Sequence, residues 1–311
     1  MLTLCLDIGG TKIAAALADA DGALLHTAKR PTPVEQGTEA VWDTVAALIS
    51  DAERAADGLG GRVTGVGIGS AGPIDLPGGT VSPINIGCWR RFPLRDRVAA
   101  ALPGIPVRLG GDGVCMALGE YWRGAGRALQ GESGGSLLGM VVSTGIGGGL
   151  VLGGAPYQGR SGNAGHVGHV VVDPDGPPCA CGGRGCVEAI AAGPSMVRWA
   201  RANGWNAPAG ADAKALGDAA GAGDAVAVAA FRRGANAVGA MIASVAAACD
   251  LQLVVIGGGV AKSGALLFDP VRAAVADYAR LDFLTGLRVV PAELGGDAGL
   301  VGAARLVGLG A

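Results

Sequence analysis

The stretch LTLCLDIGGTKIAAAL, residues 2–17, joins two apolar runs through a polar turn that contains Asp7, Gly9 and Gly10. Apolar runs on both sides of a short glycine turn predict a β-hairpin with a polar tip. Because glycine has no Cβ, the backbone N–H groups around Gly9 and Gly10 have room to cradle a phosphate together with Thr11. Asp7 is placed to hold a magnesium ion through water. Taken alone, the pattern also fits a plain hairpin.

A second stretch of the same form, LGMVVSTGIGGGLVL, occupies residues 138–152. The residues that would form the facing half of a phosphate clamp are Ser143, Thr144, Gly145, Gly147 and Gly148. Neither turn fits the P-loop pattern G-x-x-x-x-G-K-[ST], and neither opens a helix as the glycine turn of a dinucleotide-binding fold does. Two similar strand–turn–strand loops predict a duplicated α/β architecture with a nucleotide in the cleft between the halves.

A third glycine cluster follows a buried-looking strand in LQLVVIGGGVAKSG, residues 251–264. Gly257 and Gly258 would let the chain pass close under a flat group such as adenine. The alternative is a tight strand-to-helix turn without a ligand. Residues 39–56 and 224–249 have apolar positions at helical spacing and few turn residues, which predicts two long helices.

The segment GHVGHVVVDPDGPPCACGGRGCVE, residues 165–188, contains two of the three histidines and three of the seven cysteines. His169, Cys179, Cys181 and Cys186 form the Cys₃His set that a closed structural zinc site prefers. Free thiols or a disulfide, with His169 as a packed core residue, are the alternative. A disulfide is disfavoured because no basic, apolar leader marks the start of the sequence for secretion, so a reducing cytoplasmic location is expected.

The bulk composition excludes several classes of protein. A chain of 311 residues with 50% hydrophobic content is large enough for two domains. A formal net charge of -2 offers no electrostatic footprint for nucleic acid. The longest apolar stretch, near residues 240–256, is interrupted by Asp250 and Gln252, so no membrane span is expected.

A candidate catalytic base lies in PVRLGGDGVCMALGEYWRGAG, residues 106–126, where a short strand and glycines precede a helix that begins near Asp112. A helix N-terminus favours the ionised carboxylate, which suits a base that takes a proton from a substrate hydroxyl. The alternative is that Asp112 serves only as an N-cap.

These motifs together resemble the ROK family (repressors, open reading frames, kinases) over essentially the whole chain. DIGGTK, VSTGIGGG, GHVGH, CACGGRGCVEA, VVIGGG and DAGLVGAA occur in the family's order and spacing. The resemblance implies a two-domain actin-like ATPase (ribonuclease H-like) α/β fold, with ATP and Mg²⁺ in the cleft and a structural Zn²⁺ knuckle beside the sugar. The kinase branch is implied because the sequence starts directly at the first phosphate strand, without the helix-turn-helix of the repressors.

The resemblance also implies a division of the chain and an assembly state. Residues 1–113 would form a small N-terminal α/β domain, on which a helix at residues 297–311 packs back. Residues 114–296 would form a larger domain that carries the knuckle at 165–188. A homodimer or larger homo-oligomer is expected, with a small sugar or polyol and ATP as the partners.

Site roles are carried over onto the matching positions. Asp112 resembles the catalytic base on the sugar 6-hydroxyl, His169 a zinc ligand that also faces the sugar, and Glu188 a hydroxyl acceptor. The implied substrate-binding residues are Asn85, Gly111, Asp112, His166, His169 and Glu188. The implied nucleotide-binding residues are Asp7, Gly9, Gly10, Thr11, Lys12, Ser143, Thr144, Gly145, Gly147, Gly148, Gly257 and Gly258.

Two positions depart from the family's usual pattern. Gly111 replaces the asparagine that usually precedes the catalytic aspartate, and His166 replaces a sugar-binding glutamate. The chain most resembles bacterial N-acylmannosamine kinases, on NIGCWRRFPL at residues 85–94 and on histidine at position 166. The resemblance therefore implies phosphorylation of N-acetylmannosamine at its 6-hydroxyl. Glucose, N-acetylglucosamine or a cyclitol are alternative substrates, and a sugar sensor without turnover is an alternative function.

Overall fold

Two mixed sheets of similar topology organise the computed structural model, which describes residues 1–131 and 135–309. The strands are β1 Leu2–Ile8, β2 Lys12–Ala18, β3 Leu24–Pro31, β4 Val63–Ser70, β5 Ile74–Asp75, β6 Thr80–Val81, β7 Val107–Gly111, β8 Leu137–Val142, β9 Ile146–Leu152, β10 Ala155–Tyr157, β11 Leu253–Gly257 and β12 Arg288–Pro291. The helices are α1 Thr38–Gly58, α2 Leu94–Ala101, α3 Asp112–Arg123, α4 Val187–Ala191, α5 Gly193–Ala202, α6 Ala213–Gly221, α7 Ala225–Cys249, α8 Ala265–Tyr278 and α9 Ala298–Gly308.

The two five-stranded sheets repeat one topology. Their strand orders are β3-β2-β1-β4-β7 and β10-β9-β8-β11-β12. In each, a three-stranded antiparallel meander is extended by two parallel strands on its first strand. The two glycine turns occupy the same place, because one links β1 to β2 and the other links β8 to β9. The duplicated architecture predicted from residues 2–17 and 138–152 is therefore confirmed, as are the two long helices, α1 and α7.

The helices α3 and α9 lie between the sheets and pack on each other at very short range. A Cβ on Gly302 would come within 1.7 Å of the Cys115 carbonyl oxygen, and one on Gly119 within 2.1 Å of the Ala298 carbonyl oxygen. The backbones approach this closely because both contacts use glycine. α9 also packs on β1 and β4. The predicted helix at 297–311 corresponds to α9, except that residues 310–311 lie outside the described residues, and the domain division at residue 113 stays a prediction.

Within residues 1–131 and 135–309, no helix combines the length and apolar character that a bilayer crossing requires. The seven cysteines are all free of disulfide bonds, and Cys5 and Cys115 are fully buried beside small apolar residues.

The fully buried carboxylate of Glu120 holds the far end of α3 against the segment before α9. It accepts N–H groups from Ala125 at 3.0 Å, Glu293 at 3.2 Å and Leu294 at 2.8 Å. A buried charge is tolerated when donors surround it in this way. Glu120 thereby fixes how α3 and α9 sit between the sheets.

Replacing Glu120 with alanine is expected to lower the free energy of unfolding by about 3 kcal/mol or more, since several partly buried N–H groups lose their acceptor. Urea unfolding measures the change. Glu53→Ala, at an exposed position on α1, is the matched control and should stay within about 0.5 kcal/mol of the wild type. Equal stability of the two variants would contradict the assigned role.

Candidate active site

Asp112 is the first residue of α3 and follows directly on β7. Gly111, not Asp112, occupies the N-cap position, and its extended backbone (φ -67°, ψ 148°) is one that any residue adopts. The Asp112 Oδ1 accepts the Gly113 N–H at 2.7 Å. The side chain is open to solvent, yet the walls of the cleft surround its carboxylate. Burial therefore raises the pKa of Asp112, while the Gly113 N–H and the nearby His166 lower it.

Asp7 lies at the end of β1, close enough to Asp112 for the two carboxylates to repel each other. It also faces the first turn of α9, where a Cβ on Gly299 would come within 3.3 Å of its carboxylate. Burial, reinforced by Asp112 and opposed by Lys12, raises the pKa of Asp7 to about 6. Two carboxylates that face one cleft offer the oxygen ligands that a bound Mg²⁺ prefers.

The raised pKa of Asp7 predicts a pH effect on stability with a definite sign. The folded protein binds a proton at Asp7 below about pH 6, whereas the unfolded chain does so near the ordinary value of 3.8. Protonation therefore favours the fold, and this contribution is full below pH 3.8 and lost as the pH rises through 6. When the pH is lowered from 7 to 5, the Tm of the wild type should rise relative to the Tm of Asp7→Asn. A constant difference across that range would contradict the assignment.

His166 stands beside the segment that follows β4. A Cβ on Gly72 would meet the His166 ring at 3.2 Å and the Asn163 side-chain oxygen at 3.6 Å. Asn163 clamps this segment, since its side chain accepts the Ile74 N–H at 2.9 Å and donates to the Ile74 carbonyl oxygen at 2.7 Å. His166 lies near this segment and close enough to Asp112 to act on its carboxylate.

Asn85, another predicted substrate residue, packs on the first glycine turn. A Cβ on Gly10 would lie 2.6 Å from the Asn85 Cγ and from its carbonyl oxygen. Thr11 and Lys12 are exposed at the tip of the same turn. The structure therefore brings a predicted sugar residue against a predicted phosphate loop.

Glu188 lies on α4 and reaches the second glycine turn. Its Oε2 accepts the Ile146 N–H at 2.8 Å, and a Cβ on Gly145 would come within 2.7 Å of the same oxygen. The carboxylate thus sits directly beneath the turn formed by residues 143–148. The α4–α5 junction supports this turn a second time, because the Gly193 N–H donates to the Ser143 carbonyl oxygen at 2.8 Å.

Gly113 joins the Asp112 side of the cleft to the second glycine turn. A Cβ on Gly113 would come within 2.3 Å of the Gly148 carbonyl oxygen. A glycine near a helix start usually loosens the helix, but the structure gives Gly113 a packing reason. The residue that follows the candidate base Asp112 therefore touches the predicted phosphate loop directly.

Gly113→Ala is expected to lower the free energy of unfolding by about 1–3 kcal/mol and to reduce turnover, since the added methyl group must push the two backbones apart. Gly111→Ala is the matched control, because its Cβ would meet no heavy atom closer than 3.9 Å. Urea unfolding should separate the two variants. Wild-type stability of Gly113→Ala would contradict the contact.

A cavity of about 500 Å³ opens on the other side of the second glycine turn. Its lining includes Ser143, Thr144, Pro194, Val197, Arg198 and Gly259. The mixture of an apolar wall with polar glycine-loop groups is typical of a small-molecule site. Asp112 does not line this cavity, and the turn at residues 143–148 separates the two.

Gly257 and Gly258 do not line the cavity, although Gly259 does. Gly258 has φ +97°, and a Cβ there would come within 2.4 Å of the Val142 carbonyl oxygen. A left-handed backbone and a close strand contact explain this glycine without a ligand. The predicted roles of Gly257 and Gly258 at the nucleotide stay predictions.

The predicted zinc ligands converge. One ligand atom each from His169, Cys179, Cys181 and Cys186 lies within 4.8 Å of all the others. The Cys181 and Cys186 sulfurs are 3.7 Å apart, and the Cys179 sulfur is 3.8 Å from the His169 Nδ1. A tetrahedral zinc with bonds of about 2.3 Å places its sulfurs roughly 3.8 Å apart. The donor set and its spacing therefore fit a zinc ion.

Several residues of this site were missed by the sequence analysis. These are Asn163, Gly299, and the cavity residues Pro194, Val197, Arg198, Asp212 and Lys214. Gly299 lies within the DAGLVGAA motif and Asn163 lies just before the GHVGH region, so these two had a signal, whereas no motif marks the cavity residues. The proline that begins α5 and the N-capping Asp212 of α6 are signals of helix starts, and they gave no indication of a pocket.

Comparison with known proteins identifies the family. The ROK family profile matches residues 3–308. The N-acetylmannosamine kinase of Escherichia coli O157:H7 is 38% identical over 98% of both chains, and the glucokinase of Streptomyces coelicolor is 36% identical over 98% of this chain and 97% of its own. A solved ROK family glucokinase from Streptomyces griseus, in complex with glucose and AMPPNP, has a TM-score of 0.82 at 38% identity and covers 100% of both chains.

These matches bear on the fold, on the substrate and on the family. The duplicated sheets are those of the actin-like ATPase fold, as the sequence motifs implied. Relatives named for two different sugars match almost equally well. Since the profile and the relatives span nearly the whole chain, this protein belongs to the ROK family.

Proposed function

We propose that this ATP-dependent sugar phosphotransferase transfers the γ-phosphate of ATP to the primary 6-hydroxyl of N-acetylmannosamine. The observation that carries the proposal is the contact between Gly113 and Gly148, which places Asp112 next to the second glycine turn. A base on one side of that contact and a phosphate loop on the other are what in-line phosphoryl transfer needs.

In the proposed mechanism, Asp112 orients the sugar hydroxyl and accepts its proton as the hydroxyl oxygen attacks the γ-phosphate. The Ser143 and Ile146 amides are already bonded within the protein, so the amides of Thr144 and Gly145, together with the first glycine turn, hold the phosphates. Glu188 uses Oε2 to hold the turn at Ile146, and we assign its other oxygen to a sugar hydroxyl. Mg²⁺, when bound near Asp7, supplies neutralisation of the phosphate charge.

The nucleoside end of ATP is assigned to the cavity behind the second turn. Ser143 and Thr144 belong both to the turn and to the cavity wall. A nucleotide can therefore lie across the turn, with its base against Pro194 and Val197 and its phosphates toward Asp112. The complex of the S. griseus glucokinase with AMPPNP supports a nucleotide site in this fold.

Open space beside the catalytic base candidate Asp112 supports a sugar that carries an additional substituent. A side chain at Gly111 would start in open space, since its Cβ position has no neighbour closer than 3.9 Å. The absence of a side chain there leaves space next to Asp112, and His166 presents an imidazole to the same region. Sequence identity does not separate the two sugars, since relatives named N-acetylmannosamine kinase and glucokinase both reach 38%, and the choice of sugar rests on Gly111 and His166.

The zinc site and the assembly state complete the proposal. Bound zinc would fix the ring of His169, so that the free ring N–H faces the sugar. The family resemblance supports a homodimer or larger assembly. Light scattering at several protein concentrations tests the assembly directly.

A coupled ADP-release assay at fixed ATP and Mg²⁺ tests the reaction and the substrate together. The panel is N-acetylmannosamine, N-acetylglucosamine, glucose, mannose and a set of cyclitols. We expect kcat/KM to be highest for N-acetylmannosamine. Highest activity on another sugar would overturn the substrate, and no sugar-dependent ADP release from zinc-replete protein would overturn the kinase in favour of a sugar sensor.

A further inference from the structure

Ser195 is one of the few buried polar residues in the described part of the chain, at 7% exposure. It donates to the Glu188 carbonyl oxygen at 3.0 Å and accepts the Arg198 Nη2 at 2.9 Å. A serine hydroxyl has a single hydrogen and two acceptor lone pairs. These two bonds therefore occupy its only hydrogen and one lone pair, which fixes the orientation of the hydroxyl. Removing either partner would leave a buried polar group to find another.

The two ends of this hydrogen-bonded path lie in different parts of the active site. Arg198 is exposed and lines the cavity behind the second glycine turn. Glu188, at the other end, holds that turn from beneath through the Ile146 N–H. The path therefore runs from the cavity wall, through α5 and α4, to the carboxylate under the turn.

The Glu188 end of the path lies next to the Cys₃His cluster. Cys186 is the N-cap residue of α4, and Glu188 belongs to the first turn of that helix. The helix has only five residues, Val187–Ala191, and besides its packing on α7 it is held by contacts near its start. Cys186 supplies one of these contacts, and Ser195 supplies another through the Glu188 carbonyl.

We propose that Ser195 is a positioning residue that couples the binding of the nucleotide to the binding of the sugar. A nucleotide that contacts Arg198 stabilises the hydrogen bond from the guanidinium to the Ser195 hydroxyl oxygen. The hydroxyl hydrogen then continues to point at the Glu188 carbonyl oxygen. α4 is thereby fixed, and with it the Glu188 carboxylate that faces both the turn and the sugar. Linked hydrogen bonds reinforce one another in this way. This inference rests on the proposed function.

Coupling of this kind is reciprocal, so it is measurable from the nucleotide alone. Calorimetry on the full chain would give the Kd of AMPPNP with Mg²⁺, without sugar and with saturating N-acetylmannosamine. In the wild type we expect the sugar to tighten AMPPNP by about 5-fold or more. The ratio of the AMPPNP Kd without sugar to the Kd with sugar measures the coupling. In Ser195→Ala this ratio should fall to near one, and Ser195→Thr, which retains the hydroxyl, should restore it.

Two further variants separate coupling from structure. Arg198→Met cuts the path at its exposed end, and it too should bring the ratio near one even if it changes the affinity for AMPPNP itself. Ser244→Ala is the matched control, since it removes a helix hydroxyl that bonds only its own helix at the Ala240 carbonyl oxygen, 2.9 Å away. This control should keep the wild-type ratio.

The outcomes distinguish the inference from the function on which it rests. If the wild type binds AMPPNP and the sugar and the ratio stays high in Ser195→Ala or Arg198→Met, the coupling role is wrong while the kinase stands. A wild-type ratio of one overturns the coupling in the same way. If the wild type binds no AMPPNP at all, the proposed function itself fails.

Discussion

Replacing Asp112 with asparagine is expected to lower kcat by about 10²–10⁴-fold, the usual contribution of a general base. The amide has nearly the same shape as the carboxylate, so the KM values for ATP and sugar should change much less. Burial raises the pKa of Asp112, although the Gly113 N–H and His166 oppose the shift, and the Asp112 carboxylate repels that of Asp7. In the pH profile of wild-type kcat, the apparent pKa of the acid limb should therefore lie above the ordinary range of a carboxyl group. This apparent pKa describes the interacting pair Asp7 and Asp112, not either residue alone.

The control for this prediction is another aspartate in the first turn of a helix. Asp96 in α2 is exposed and pairs with the neighbouring Arg95 at 3.3 Å. Asp96→Asn should keep wild-type kinetics in the same ADP-release assay. If Asp112→Asn retains kcat within a few-fold, the role of base passes to another residue and Asp112 becomes a helix-terminal residue only.

Replacing Cys186 with serine is expected to release zinc and to lower the free energy of unfolding by several kcal/mol, because a structural zinc site contributes its binding energy to the fold. Activity should fall as well, by about 10–100-fold or more, since Cys186 is the N-cap residue of α4 and Glu188 follows in its first turn. Elemental analysis of the wild type should find about one zinc ion per chain. A chelator should reproduce the effect of the variant on thermal unfolding.

Cys249→Ser is the control, because Cys249 is a half-buried free thiol at the end of α7, outside the ligand cluster. It should retain zinc and activity. Wild-type protein that holds no metal and still unfolds at the same temperature after treatment with chelator would remove the zinc assignment. The four side chains would then be a cluster of thiols with a packed histidine.

Much of the fold was predictable because its signals are local. Apolar runs on both sides of the turns at Gly9 and Gly145 predict hairpins, and the structure has both in equivalent places of equivalent sheets. The convergence of the Cys₃His cluster was predictable for the same reason, since His169 and Cys186 lie in one short segment. The α/β class, the duplication and the ligand cluster are thus readable from neighbouring residues.

The contacts between distant segments were not predictable in this way. Gly113 resembles a loosening residue at a helix start until Gly148 is seen against it. Glu120 resembles an ordinary glutamate of a helix until three distant or neighbouring N–H groups are found on its carboxylate. Such partners are set by how the helices pack, and no spacing along the chain encodes that.

The family, the two sheets, the base candidate Asp112 and the Cys₃His cluster could all be read from the amino-acid sequence, because each depends on residue types at short spacing. Only the tertiary structure decided which helices wall the cavity, how Ser195 connects Arg198 to Glu188, and that Gly257 and Gly258 do not line the cavity. These features join residues from separate elements. Their positions follow from the packing of α3, α4, α5 and α9, in which small free-energy differences between close-packed arrangements select one geometry.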